Sequence, residues 1–196
     1  MSDAGWLVVF FSAVFTNNIL LTNYLGMCSF LGASREMKTA VGLGAAVTFT
    51  MAATTVLNWA AYHLLLAPLG LEYLQIIVFI VIIAGFVQLV EMVIERASET
   101  LYAALGIFLP LITVNCAILG ASLFMIIREY DLPQSAGYGL GAGLGWMLAI
   151  VAMAGIRQRM ARSRVPRGLE GAGITLIVAG IMALAFIGFN GMLGGR

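Results

Sequence analysis

The fold is decided by the stretch Gly106-Ile-Phe-Leu-Pro-Leu-Ile-Thr-Val-Asn-Cys-Ala-Ile-Leu-Gly120, which lies inside an apolar segment long enough to span a bilayer. Pro110 removes a backbone N–H group from any helix here, and Thr113 and Asn115 offer oxygens that can cap a new helix. In hydrocarbon, unpaired backbone groups are tolerated only where protein buries them or a cavity hydrates them. We therefore predict a helix broken at mid-membrane, with the thiol of Cys116 at the break.

The composition is that of an integral membrane protein. The 196 residues are 62% hydrophobic and only 10% charged, whereas a soluble domain has about 25% charged residues. Apolar runs of about 20 residues recur along the chain. The net charge of +1 gives no sign of nucleic-acid binding, and two cysteines are too few for a disulfide framework.

The apolar runs predict six transmembrane helices, at approximately 4–25, 39–64, 72–94, 101–124, 135–156 and 171–191. Most of the basic residues then fall in the loops of one side of the membrane: Arg35, Lys38, Arg96, Arg157, Arg159, Arg162, Arg164 and Arg167. The other side has only Arg128 and Arg196. Because positive loops stay in the cytoplasm, both termini are predicted to lie on the outer side.

The two halves of the chain resemble each other at an offset of 97 or 98 residues. The matched segments are Thr16-Asn17-Asn18 with Thr113-Val114-Asn115, Gly42–Ala45 with Gly139–Ala142, and Pro68–Glu72 with Pro166–Glu170. Each half holds three predicted helices, so the second copy must insert upside down. We therefore predict one membrane domain, 1–196, built from inverted repeats at about 1–97 and 98–196. Helices 1 and 4 are the broken ones, capped by Asn18 and Asn115.

The cysteines are candidate metal ligands. If Asn115 caps a half-helix, Cys116 lies in its first turn, where free N–H groups favour a thiolate. Thiolates are the ligands of iron–sulfur clusters. In the first repeat Ile19 corresponds to Cys116, and Cys28 lies nine residues further on, so the cysteines are not equivalent by repeat. The antiparallel half-helices still allow them to converge.

Two alternatives to metal binding remain open at this point. Each cysteine can be a small buried hydrophobic residue, or the two can form a disulfide. Two thiolates also do not complete a four-ligand iron–sulfur site, so metal binding requires a partner chain to supply the other two.

Three motifs resemble a known family: Leu25-Gly26-Met27-Cys28, the stretch Leu105–Leu119, and Val87-Gln88-Leu89-Val90-Glu91-Met92. They resemble the A-type subunit of the Rnf electron-transport complex and its homologue, the E-type subunit of the sodium-translocating NADH:quinone oxidoreductase (Nqr). The resemblance covers essentially the whole chain. It implies six helices in two inverted halves, paired with a homologous subunit of opposite orientation (the Rnf E or Nqr D type). It also implies a [2Fe–2S] cluster held mid-membrane by two cysteines from each partner, here Cys28 and Cys116.

The function implied by this resemblance is that of a subunit of a redox-driven ion translocase, with no complete active site in this chain. Electrons would cross a bacterial or archaeal cytoplasmic (inner) membrane through the shared cluster. Further implied partners are flavin and iron–sulfur subunits and membrane lipid. Thr16–Ile19 and the short Pro68–Leu74 loop favour the Rnf type (ferredoxin:NAD+ oxidoreductase). Gly26–Cys28, Thr113–Asn115 and Gly145–Leu148 look more like Nqr, which is the alternative.

A second alternative is a small inverted-repeat secondary transporter or channel, since broken helices suit that class as well. Its sites would be Asn18, Asn115 and Glu91. Glu91 lies near the cytoplasmic end of the third helix, one turn after Gln88. It is a possible cation or proton site, and an acid in the family's matching motif is linked to sodium handling. Otherwise it is an interfacial carboxylate that snorkels or pairs with an arginine.

Two further features suggest structural roles. The glycines at 137, 139, 141, 143 and 145 do not have nucleotide-loop spacing, and small residues four apart allow close helix packing in membranes. We predict that they pack against a half-helix or a partner. His63 is the only histidine of the chain, which argues against a haem or metal role.

Overall fold

The computed structural model describes residues 4–97, 109–161, 168 and 171–193, and within them the protein is helical. In chain order the helices are α1 (Ala4–Phe11), α2 (Ile19–Asn23), α3 (Met27–Ala33), α4 (Met37–Ala61), α5 (Ala67–Leu69), α6 (Gln75–Ala97), α7 (Leu109–Thr113), α8 (Cys116–Ile127), α9 (Leu132–Met160) and α10 (Ala172–Leu193). Short π-helical turns lie at Ser12–Thr16 and Tyr62–Leu66, and a 3-10 turn at Glu72–Leu74. The predictions for Gly106, Arg162, Arg164, Arg167 and Arg196 lie outside the described residues.

Within the described residues, four helical segments are long and apolar enough to cross a membrane: Met37–Leu69, Glu72–Val93, Pro110–Ile127 and Leu132–Met160. Two shorter apolar helices cover Gly5–Thr16 and Ala172–Gly188. The expected class, an all-helical multi-pass membrane protein, is therefore confirmed.

The first apolar segment is interrupted twice. The chain leaves the π-helical turn at Asn17, whose N–H donates to the Ser12 carbonyl at 2.7 Å, and α2 begins after an extended Asn18. Five residues later Tyr24 adopts a left-handed conformation with φ +55°, and Gly26 follows with φ +81°. The predicted break at Asn18 is therefore present, and the second interruption lies at the predicted end of the segment, near residue 25. A separate short helix, α3, follows the second interruption.

The central helix of the described fold is α9, and its glycines form two packing faces. Gly137, Gly141 and Gly145 lie against the backbone of α1 and the following π-helical turn, while Gly139 and Gly143 lie against α4. A Cβ at Gly141 would be 2.6 Å from the Phe10 carbonyl oxygen, and one at Gly143 would be 2.7 Å from Thr48 Cα. Because side chains do not fit at such distances, glycine allows these backbones to touch. The predicted packing role is confirmed.

Candidate metal-ligand site at the helix breaks

The first break is organised by Asn18, which is fully buried. Its Oδ1 accepts from the N–H groups of Leu20 at 3.1 Å and Leu21 at 3.3 Å, as an N-cap side chain does. Its Nδ2 donates to the Val14 carbonyl at 3.2 Å and to the Gly145 carbonyl at 2.7 Å. The side-chain amide of Asn18 therefore hydrogen-bonds to the backbone on both sides of the break and also to α9.

The second break is organised by Asn115 in the same way. Its Oδ1 accepts from the Ala117 N–H at 3.0 Å, so it caps α8. Its Nδ2 donates to Ser29 Oγ at 3.3 Å, and Ser29 Oγ in turn donates to the Gly26 carbonyl at 3.1 Å. Asn115 and Ser29 are both buried. This chain of hydrogen bonds joins the second break directly to the first turn of α3.

The sulfur of Cys116 completes the connection. Cys116 is the first residue of α8, and its Sγ accepts a hydrogen bond from the Gly26 N–H at 2.9 Å. Gly26 is the N-cap of α3, and Cys28 is the second residue of that helix. The structure thus brings the Cys116 thiol to the start of the helix that carries Cys28, although the two residues are far apart in sequence.

Both cysteines are free thiols and both are exposed in this chain by itself. Neither side chain is buried within this chain, and the structure contains no bond between the two sulfurs. Cys28 does not lie on the half-helix capped by Asn18. It lies on α3, after the left-handed turn at Gly26.

Neighbouring side chains pack closely around Gly26 and leave no room for a Cβ atom. A Cβ built on Gly26 would lie 2.5 Å from Trp146 Nε1 and 3.1 Å from both Ala117 Cβ and Asn115 Oδ1. Trp146 is fully buried, and its indole N–H has no hydrogen-bond partner among the described residues. The cradle around Gly26 therefore admits only a glycine, which also suits its positive φ.

The far end of α3 is held by an arginine of α9. Arg157 donates through the same Nη1 to the Leu31 carbonyl at 3.0 Å and to Ser34 Oγ at 2.8 Å. A guanidinium suits this place, because the last carbonyls of a helix lack partners and carry partial negative charge. Arg157 therefore fixes α3, which carries Cys28, to α9. It is also one of the basic residues used to predict the orientation in the membrane.

The other candidate residues are not joined to the cysteines by any hydrogen bond in the described part of the chain. Glu91 is half-buried on α6 and Gln88 is exposed. The His63 ring stacks on Trp59 with centroids 4.2 Å apart, and its Nδ1 is 3.0 Å from the Trp59 carbonyl oxygen. His63 is therefore placed by aromatic packing.

Sequence reasoning missed Gly26, Ser29 and Trp146 as parts of this site. The glycine of Gly26-Met27-Cys28 was a usable indication, because glycine readily adopts the positive φ of a tight turn. Nothing local pointed to Trp146, since its role depends on the tertiary contact with Gly26.

The described residues contain no group of three or more His, Cys, Asp or Glu side chains able to hold a metal. The fold and this site thus define a multi-pass helical membrane protein that presents two free thiols where its helices are interrupted. A match to the family described as "Rnf-Nqr subunit, membrane protein" covers residues 6–193. The chain belongs to this family.

Curated relatives include members from both branches. The A-type subunit of the Na(+)-translocating ferredoxin:NAD(+) oxidoreductase complex of Acetobacterium woodii is 52% identical over 184 residues, covering 94% of this chain and 96% of the relative. The E-type subunit of the Na(+)-translocating NADH-quinone reductase of Klebsiella pneumoniae is 48% identical, covering 96% and 98%. The corresponding protein of Neisseria gonorrhoeae is 50% identical, covering 95% and 98%.

Proposed function

We propose that this chain is a membrane subunit of a redox-driven, ion-translocating complex, and that Cys28 and Cys116 hold one half of a [2Fe–2S] cluster. The observation that carries the proposal is the 2.9 Å hydrogen bond from the Gly26 N–H to Cys116 Sγ. It places one thiol against the N-cap of the short helix on which the other thiol lies. The kind of complex is inferred from the relatives, which are named as subunits of Na(+)-translocating oxidoreductases.

The residues present fit half of such a cluster. A [2Fe–2S] cluster takes four cysteine ligands, and this chain contains two cysteines, both free and exposed. We infer that a homologous membrane protein of opposite orientation, of the Rnf E or Nqr D type, provides the other pair. When bound, the cluster supplies one-electron transfer between carriers on the two sides of the membrane.

The chain's own residues orient the sulfurs and compensate their charge. Asn18 and Asn115 allow helices to end and restart inside apolar surroundings, because their amides satisfy backbone groups at each break. The Gly26 amide then donates to the Cys116 sulfur, which stabilises negative charge there. Arg157 and Ser29 hold the two ends of α3, so that Cys28 keeps its position relative to Cys116.

The inferred arrangement in the membrane follows from the repeats. We propose two inverted halves, at about 1–97 and 98–196, with six helices in total and the breaks of helices 1 and 4 near mid-membrane. The two asparagine caps support this pairing, because Asn18 and Asn115 are matched positions of the repeat and cap in the same way. The excess of basic residues on one side favours the cytoplasmic (inner) membrane with both termini outside.

We assign the complex to the Rnf type on the motifs in the sequence, with the E-type subunit of Nqr as the alternative. The identities of 52% and 48% to the two kinds of relative do not separate them. Both relatives are named as sodium-translocating, and Glu91 is proposed as a candidate cation site on α6. The flavin and iron–sulfur subunits expected of such complexes are further proposed partners.

The test is electron paramagnetic resonance of the purified complex before and after reduction. We expect one reduction-dependent cluster signal to be lost in Cys28→Ala and in Cys116→Ala, while the signals of the proposed iron–sulfur subunits remain. Val114→Ala is the matched control, because Val114 directly precedes the second cap and its side chain is exposed. A signal of unchanged intensity in both cysteine variants would remove the assignment. Ion flux through liposomes containing this chain alone, with both cysteines replaced, would support the transporter alternative.

A further inference from the structure

We propose that the Gly26 amide is a fixed hydrogen-bond donor that raises the reduction potential of the group held by Cys116, and that Trp146 is the residue that positions it. This inference rests on the proposed function, because it concerns the same sulfur. It adds a positioning residue that lies outside the ligand set.

The Gly26 peptide is held in one orientation by hydrogen bonds at both of its polar groups. The Gly26 carbonyl accepts from the Phe30 N–H at 3.1 Å and from Ser29 Oγ at 3.1 Å, so it is held by the first turn of α3. The Gly26 N–H points the other way, to Cys116 Sγ at 2.9 Å. Neither end of Gly26 is therefore free to turn without the loss of a hydrogen bond.

This orientation of the peptide requires a left-handed backbone conformation at Gly26. Gly26 has φ +81°, a region that residues with a Cβ rarely occupy. Trp146 Nε1 occupies the space that a Cβ would need, at 2.5 Å from its ideal position. The indole therefore lies directly against the backbone of Gly26 and limits its movement toward the interior.

Among the described residues, Trp146 is buried with an unpaired indole N–H. Its side chain is fully buried, and its N–H finds no acceptor in the described structure. Buried donors are normally paired, and one without a partner needs an explanation. The unpaired atom, Nε1, is the same atom that lies against Gly26.

The hydrogen bond from Gly26 to Cys116 Sγ affects the reduction potential of the group that Cys116 holds. The potential of an iron–sulfur group depends on the hydrogen bonds made to its sulfurs, because an N–H dipole stabilises the more negative, reduced form more than the oxidised form. An amide held at 2.9 Å from Cys116 Sγ therefore makes reduction easier. Any substitution that allows the Gly26 peptide to rotate away from Cys116 Sγ should therefore lower the reduction potential of the group held by Cys116.

The experiment is a redox titration of the purified complex, with the cluster followed by its resonance signal and with iron measured in the same samples. The variants are Gly26→Ala and Trp146→Phe. The phenyl ring keeps aromatic bulk but removes the atom that lies against Gly26. Trp6→Phe is the matched control, because Trp6 is partly exposed on α1.

We expect Trp146→Phe and Trp6→Phe to keep the iron content of the wild type. In Gly26→Ala and Trp146→Phe the equilibrium constant for reduction should fall about tenfold, which is about 59 mV downward for one electron, and Trp6→Phe should match the wild type. Trp146→Phe keeps the test usable if Gly26→Ala fails to assemble.

Three outcomes would overturn the inference. The first is a wild-type potential in Trp146→Phe. The second is an equal shift in Trp6→Phe. The third is a loss of iron from Trp146→Phe, since the indole would then be needed for assembly of the site. Failure of the proposed function is distinguishable, because the signal would then survive replacement of Cys116 and no potential could be assigned to this site.

Discussion

Replacing Asn18 tests whether the first helix break is held by one side chain. Asn18→Ala removes the acceptor of the Leu20 and Leu21 N–H groups and the donor to the Gly145 carbonyl. Loss of a cap costs about 1 kcal/mol, and loss of one hydrogen bond between membrane helices costs about 0.6 kcal/mol. Buried groups left without partners add to this cost. We therefore expect the free energy of unfolding to fall by about 2 kcal/mol.

The assay is equilibrium unfolding of the purified chain in mixed micelles, followed by tryptophan fluorescence with the buried Trp146 as a reporter. Asn18→Ser keeps an oxygen that can cap but loses the donor to Gly145, so we expect a loss of only about 0.6 kcal/mol. Asn23→Ala is the matched control on α2, because Asn23 is exposed. Its effect should stay within about 0.5 kcal/mol. If Asn18→Ala is as stable as Asn23→Ala, the capping argument is wrong.

Two further predictions concern the contacts of α9. Gly143→Ala should lower the free energy of unfolding by about 1–3 kcal/mol, because the new Cβ would lie 2.7 Å from the Thr48 backbone. Gly42→Ala should be neutral or stabilising, because a Cβ there meets nothing within 4 Å; both are measured by the same unfolding assay. Arg157→Ala should release the end of α3 and increase the rate at which a maleimide labels Cys28 in iron-free protein, whereas the exposed Arg159→Ala should leave this rate unchanged. Equal labelling rates in the two arginine variants would show that Arg157 does not hold α3.

The parts of the site that depend on local chemistry could be predicted from the sequence. Asn18 and Asn115 are predictable as caps because their side-chain oxygens can accept from the first N–H groups of a helix, and the structure places both at N-caps. The glycines of α9 were assigned to packing because their spacing places them on defined helix faces. In each case the residue type and the local pattern indicate the role, whereas the partner, such as Gly145 for Asn18 or Thr48 for Gly143, lies elsewhere in the chain.

The parts that depend on tertiary contacts could not be predicted in this way. The Gly26 N–H meets Cys116 Sγ across 90 positions of sequence, and Arg157 meets the Leu31 carbonyl across 126. No periodicity encodes such contacts. The short helix α3 was not predicted from the sequence, because the left-handed turn at Tyr24 that precedes it is formed by a residue without strong turn preference.

The most direct test of the account is iron and acid-labile sulfide, determined chemically on the intact complex with and without the two thiols. Because the proposed iron–sulfur subunits would also contribute iron, the quantity of interest is the difference between wild type and the Cys28→Ser, Cys116→Ser double variant at equal protein composition. The account predicts that the double variant lacks about two iron atoms and two sulfides per complex. Equal iron and sulfide in the two preparations would contradict it.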